Sequence, residues 1–121
     1  MKTCLVVEES RVVRKVARRL LEDLGFAVAE AADGPEGLAW CAAMMPDVVL
    51  FDADPAPGSG LDFLRRLRLE PGGLRPKVIF CSVESDLQQI RAALDAGAAE
   101  YIIKPFDGEI VAEKLALAGA A

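Results

Sequence analysis

The sequence predicts an α/β fold built on one parallel sheet, and two observations predict it. Short apolar runs rich in β-branched residues recur down the chain, and each is followed by a capped stretch with helical spacing of its apolar positions. Strands that alternate with helices call for a parallel sheet covered on both faces, joined by right-handed crossovers. At 121 residues and 12.9 kDa the chain is one domain with one core, residues 1–121.

The elements follow in order. Cys4 to Val7 form the first strand, stopped by Glu8-Glu9. Ser10 caps a helix whose apolar positions Val13, Val16, Ala17, Leu20 and Leu24 run to Gly25. Phe26 to Ala29 form the second strand, and Asp33 caps a helix carrying Pro35, Leu38, Ala42 and Met45 until Pro46 stops it. Val48 to Phe51 form the third strand. A loop of prolines and glycines then leads to a helix over Leu61 to Leu69, broken at Pro71-Gly72-Gly73. Val78 to Cys81 form the fourth strand, and Ser85 or Asp86 caps a helix with Leu87, Ile90 and Leu94 that closes at Gly97. Tyr101 to Ile103 form the fifth strand, and Ile110 to Leu117 lie in the last helix. The apolar helix positions are read as core.

Composition excludes several classes. A net charge of −5 argues against nucleic-acid binding by the domain as a whole. The absence of histidine and of any Cys-x-x-Cys pair removes zinc sites and histidine-based triads. Cys4 and Cys81 sit inside apolar runs and read as buried thiols in a reducing compartment. No apolar stretch approaches a membrane span and no cleavable apolar region follows Met1-Lys2, so no membrane partner is expected and the cytoplasm is the expected location.

Chemistry gathers at the strand ends. In parallel sheets of this kind ligands bind beyond the carboxyl ends of the strands. There stand Glu8 and Glu9, Asp52 at the tip of "VVLFD", Ser82, and Lys104-Pro105. Taken singly, each is equally well a surface polar residue. Together, carboxylates, a hydroxyl and an ammonium around one crevice suit a hard divalent cation and a phosphoryl group.

These segments, "LVVEES", "PDVVLFD", "VIFCSVE" and "YIIKPF", occur in the order and spacing of the receiver domains of two-component response regulators. The chain resembles that family over essentially its whole length, in particular the single-domain chemotaxis type. The resemblance implies a flavodoxin-like, doubly wound five-stranded parallel sheet of order 2-1-3-4-5 with five helices. It implies that Asp52 is the phospho-acceptor, that Ser82 and Lys104 contact the phosphoryl oxygens, and that Tyr101 is the aromatic switch residue. Mg²⁺ would be held by Glu8, Glu9, Asp52 and the backbone carbonyl of Asp54, and Pro105 would follow a cis peptide. The expected partners are a histidine kinase or histidine phosphotransfer protein, and an output protein. With no further module after Ala121, the signal is expected to leave through protein contact. No enzymatic activity is expected beyond self-phosphorylation and self-dephosphorylation at Asp52.

The departures from the family pattern all touch the site. The family places aspartate at the second acidic position, the direct metal contact. Glu9 adds a methylene, about 1.5 Å of reach, where Mg²⁺ demands near-octahedral geometry. Such a side chain crowds the ion, holds it through water, or excludes it. Pro55 biases Asp54 toward extended backbone. Val83 replaces the small residue that commonly follows the switch hydroxyl and predicts slower hydrolysis of the phosphoryl group, while Asp54 and Glu84 repel or orient the attacking water.

Two functions therefore compete within the family: a working phospho-receiver, and a pseudo-receiver that keeps the binding face without metal-dependent phosphorylation. A third, weaker reading takes "LFDAD" as the Asp-x-Asp signature of haloacid-dehalogenase-type phosphatases. Finally, Arg11, Arg14, Lys15, Arg18 and Arg19 on the first helix form either a solvated face or a docking strip for an acidic partner.

Overall fold

The computed structural model describes residues 1–53, 59–83 and 86–120. Asp54, Pro55, Glu84 and Ser85, to which the sequence assigns roles, lie outside the described residues. The chain order is β1 (Thr3–Val7), α1 (Arg11–Asp23), β2 (Ala27–Ala31), α2 (Gly34–Ala43), β3 (Val48–Asp52), α3 (Ser59–Leu69), β4 (Lys77–Ser82), α4 (Leu87–Asp95), β5 (Glu100–Ile103) and α5 (Gly108–Leu117). All neighbouring strands are parallel, and the sheet order is β2-β1-β3-β4-β5.

Both faces of the sheet are apolar, and the strand period of two divides them. Cys4 and Val6 of β1, Val48 and Leu50 of β3, and Ile79 and Cys81 of β4 pack with Ala17 and Leu21 of α1 and Val111 and Leu115 of α5. The intervening residues Leu5, Val7, Val49, Phe51, Val78 and Phe80 pack with Cys41 of α2, Phe63, Leu64 and Leu67 of α3, and Ala93 of α4. Burial on both sides explains why these strands read as continuous apolar runs. The cysteines are free and buried, and burial pushes the Cys4 thiol up to about 12.

Each described helix start has a side-chain acceptor where the sequence supplies one. Ser10 accepts from the Val13 N–H, Asp33 from Glu36, Asp86 from Gln88 and Asp107 from Ile110. Among the described residues no helix is long and apolar enough to cross a membrane.

Three readings of the elements need correction. β2 covers Ala27–Ala31 rather than Phe26–Ala29, because its ladder with β1 continues from Thr3↔Ala27 to Val7↔Ala31. Phe26 instead closes α1, donating its N–H to the Leu21 carbonyl with its ring buried. α2 ends at Ala43, not at Met45: Met44 is already extended, and its N–H caps the Trp40 carbonyl. The apolar helix positions are not all core: on α1 the buried residues are Ala17 and Leu21, while Val13, Val16 and Leu24 are exposed, and on α4 Ala93 is buried while Leu87 and Leu94 are exposed, as are Leu69 of α3 and Leu117 of α5. Val12, Val13 and Val16 line a cavity of about 410 Å³ with Val83, Pro105 and Phe106 instead of entering the core.

Candidate functional site

The parallel register brings the predicted residues to one edge. β1 and β3 pair Val7 with Phe51, so that Glu8 and Asp52 follow side by side. β3 and β4 pair Asp52 with Cys81, and β4 and β5 pair Ser82 with Ile103, one residue before Lys104. Glu8 and Asp52 are the next residues of the alternation that points Val6 and Leu50 toward α1 and α5, which carries both carboxylates to the same face.

Among the described residues the buried polar side chains are Glu8, Asp52 and Ser82. An unpaired buried charge is costly, so such residues are kept only where partners compensate them. Lys104 supplies the compensation: its Nζ donates to Asp52 Oδ1 at 2.8 Å and to Glu8 Oε1 at 3.5 Å. Burial disfavours the Lys104 charge, but the hydrogen bond and charge of Asp52 outweigh it, and the ammonium is held above the ordinary lysine range. The other Glu8 oxygen, Oε2, accepts the Ser10 N–H at 3.1 Å. The Lys104 N–H donates to the Ser82 carbonyl at 2.8 Å, which ties the hydroxyl-bearing and ammonium-bearing strand ends together.

The remaining candidates fall around this group. The Lys104–Pro105 peptide is cis. Tyr101 is half-buried and packs against the core on the α3 and α4 side. Val83 is exposed and shares the groove with Lys104. Glu9 is exposed, yet it lines a cavity of about 470 Å³ together with Glu8, Asp52, Asp33, Asp62 and Arg66.

The donor chemistry suits a hard cation: two buried carboxylates share one ammonium, and a third carboxylate stands on the same cavity wall. Among the described residues, however, no three acidic or thiol side chains stand close enough together to close on an ion. Glu8 and Asp52 are in place for a metal, and Glu9 would have to swing inward to join them.

The basic residues of α1 are largely engaged within the chain. Glu30 on β2 accepts from Arg14 Nε at 2.9 Å, Lys15 Nζ at 2.8 Å and Arg18 Nη1 at 2.7 Å. Arg18 also pairs with Glu22, and Arg19 with Asp23. Sequence reasoning missed Glu30 and the second role of Arg14, whose Nη1 donates to the Glu8 carbonyl at 2.8 Å. The available signal was a single acid inside an otherwise apolar strand beside a helix rich in cations.

The comparisons agree with this geometry. The model of the response regulator receiver domain family matches residues 4–116. The chemotaxis protein CheY of Pseudomonas aeruginosa is 31% identical over 112 residues, covering 92% of this chain and 90% of that protein. The KDP operon transcriptional regulatory protein KdpE of Escherichia coli is 37% identical over 113 residues, covering 93% of this chain and 49% of that protein. The chain thus spans about half the length of the transcriptional regulators it matches. Among solved structures, a response regulator from Thermotoga maritima superposes with a TM-score of 0.87 at 29% identity, covering 100% of this chain and 99% of that one. The chain belongs to the response-regulator receiver domain family and is a receiver of two-component signalling.

Proposed function

We propose that the chain is a working phospho-receiver, in which Asp52 accepts a phosphoryl group from a phosphohistidine on a histidine kinase or histidine phosphotransfer protein. The observation that carries this reading is the meeting of Glu8, Asp52 and Ser82, the buried polar side chains among the described residues, with Lys104 at one strand edge. A carboxylate oxygen of Asp52 attacks phosphorus, the P–O bond forms as the P–N bond breaks, and the imidazole leaves with the electron pair. Lys104 keeps its ammonium beside the oxygens that gain charge. Ser82 donates its hydroxyl to a phosphoryl oxygen, and Tyr101 packs behind it in a rearranged α4, β5 and α5 surface that meets the output protein. Mg²⁺, which receiver domains bind at this acidic pocket, supplies charge compensation for the phosphoryl oxygens; Glu8, Glu9, Asp52 and the carbonyl of residue 54 would hold it. No catalysis beyond self-phosphorylation and self-dephosphorylation at Asp52 belongs to this reading.

The exposed Glu9 favours the pseudo-receiver as second reading. Incubation with Mg²⁺ and a small phosphodonor, followed by intact mass, separates the two. The first reading expects one added phosphoryl group on the wild type and none on Asp52→Asn; an unmodified wild type leaves the second. The phosphatase reading is set aside, since the chain is a receiver, and the Asp-x-Asp signature of those phosphatases normally ends the first strand whereas Asp52 ends the third.

A further inference from the structure

We infer that Arg14, held by Glu30, is a positioning residue for the acidic pair Glu8-Glu9. Glu8 lies just past the end of β1, where the chain must leave the sheet and where the ladder ceases to fix the backbone. Its N–H still donates to the Ala31 carbonyl at 3.0 Å. Its carbonyl accepts from Arg14 Nη1 at 2.8 Å. The same guanidinium donates through Nε to Glu30 Oε1 at 2.9 Å, with the two side chains only 16% and 12% exposed. The planar fork of arginine thus spans from β2 to the β1–α1 turn in one rigid unit.

The carbonyl of Glu8 belongs to the peptide plane that joins Glu8 to Glu9. Fixing it sets the direction in which Glu9 leaves, because the peptide unit is planar. It also fixes the turn in which the Ser10 N–H donates to Glu8 Oε2 at 3.1 Å, leaving Oε1 toward Lys104. This control matters more here than with aspartates. Each glutamate adds a rotatable bond, so a loosely held turn would spread the carboxylates over more positions.

Lys15 provides the control. It pairs with the same Glu30 at 2.8 Å from the exposed face and, among the described residues, makes no hydrogen bond to the turn. Its removal weakens the Glu30 cluster without releasing the Glu8 carbonyl.

The inference deepens the phospho-receiver reading, and the test has an arm that stands without it. In the metal-free protein, hydrogen exchange of the Ser10 amide is compared among wild type, Arg14→Gln, Arg14→Lys and Lys15→Gln. Both Arg14 variants are expected to exchange several-fold faster, since a single ammonium does not span Glu30 and the Glu8 carbonyl, while Lys15→Gln matches wild type. In the second arm, the Mg²⁺ concentration that gives half of the full rise in thermal unfolding midpoint is expected to increase about ten-fold in the Arg14 variants and not in Lys15→Gln, the usual scale for residues that orient metal ligands. Ser10 exchange at the wild-type rate in Arg14→Gln, full rescue by Arg14→Lys, or equal loss in Lys15→Gln would each overturn the inference. A wild type that takes up no phosphoryl group would overturn the functional reading alone and leave the amide result to decide this one.

Discussion

Glu30 shows at the scale of one residue how a charge survives inside a strand. Hydrogen bonds from Lys15, outweighing desolvation and joined by Arg18 and Arg14, lower its pKa from 4.5 to about 2. Because the folded value lies below the unfolded one, the stabilisation is fully present above about pH 4.5 and is lost as the pH falls toward 2. Chemical unfolding of wild type and Glu30→Gln from neutral to acid pH should show a difference that shrinks through that window; a constant difference would contradict the account. Asp52, Ser82 and Lys104 were legible in the sequence because each ends an apolar run, and strand ends in a parallel sheet must converge. Glu30 and Arg14 were not, because a lone acid in an apolar strand signals a cation partner without naming it, and the pairing depends on how α1 lies across β2.

Among elements, α3 depends on how it is buried and how it stops. Leu67 is fully buried in the core cluster that also holds Val78 and Phe80 of β4. Leu67→Ala is expected to cost about 2–5 kcal/mol in urea unfolding. Beyond the helix end two adjacent glycines have different duties. Gly72 has φ of 77° with open space around it, so Gly72→Ala carries only the left-handed penalty, about 1 kcal/mol. At Gly73 a Cβ would run into the backbone carbonyl of Leu67, and Gly73's own carbonyl accepts from Arg68 Nη1 at 2.8 Å. Gly73→Ala should therefore cost more than Gly72→Ala, roughly 2–3 kcal/mol, and the reverse order in a denaturation series would refute the packing argument. The sequence marked this segment as a break but could not distinguish the two glycines. Element type was readable throughout from periodicity. The bounds of β2 and α2 and the buried stripe of α1 were not, since ladder length and helix tilt are set by partners.

For the whole molecule, the basic character of α1 is mostly spent on Glu30, Glu22 and Asp23, and the face beside Lys104 is apolar, with Val12, Val13, Val16, Val83 and Phe106. A phosphodonor protein approaching Asp52 would meet this apolar wall. Transfer should accordingly depend weakly on salt and fall at least several-fold in Val16→Glu, measured as the rate of phosphoryl transfer from a histidine donor. A steep salt dependence with an unaffected Val16→Glu would return the interaction to the charged strip.

Every helix in this topology begins at the strand edge that holds Asp52, and three of them, α2, α4 and α5, begin on an aspartate. Their dipoles put positive ends at that edge, but Asp33, Asp86 and Asp107 each place a carboxylate there and already take one of the free amides. Those ends are poor havens for a newly arrived anion. In the proposed phospho-receiver the burden of holding a dianionic adduct would therefore fall on Lys104, the Ser82 hydroxyl and whatever cation joins them, which would make the lifetime of the modified state a property of a few contacts and not of the scaffold's field.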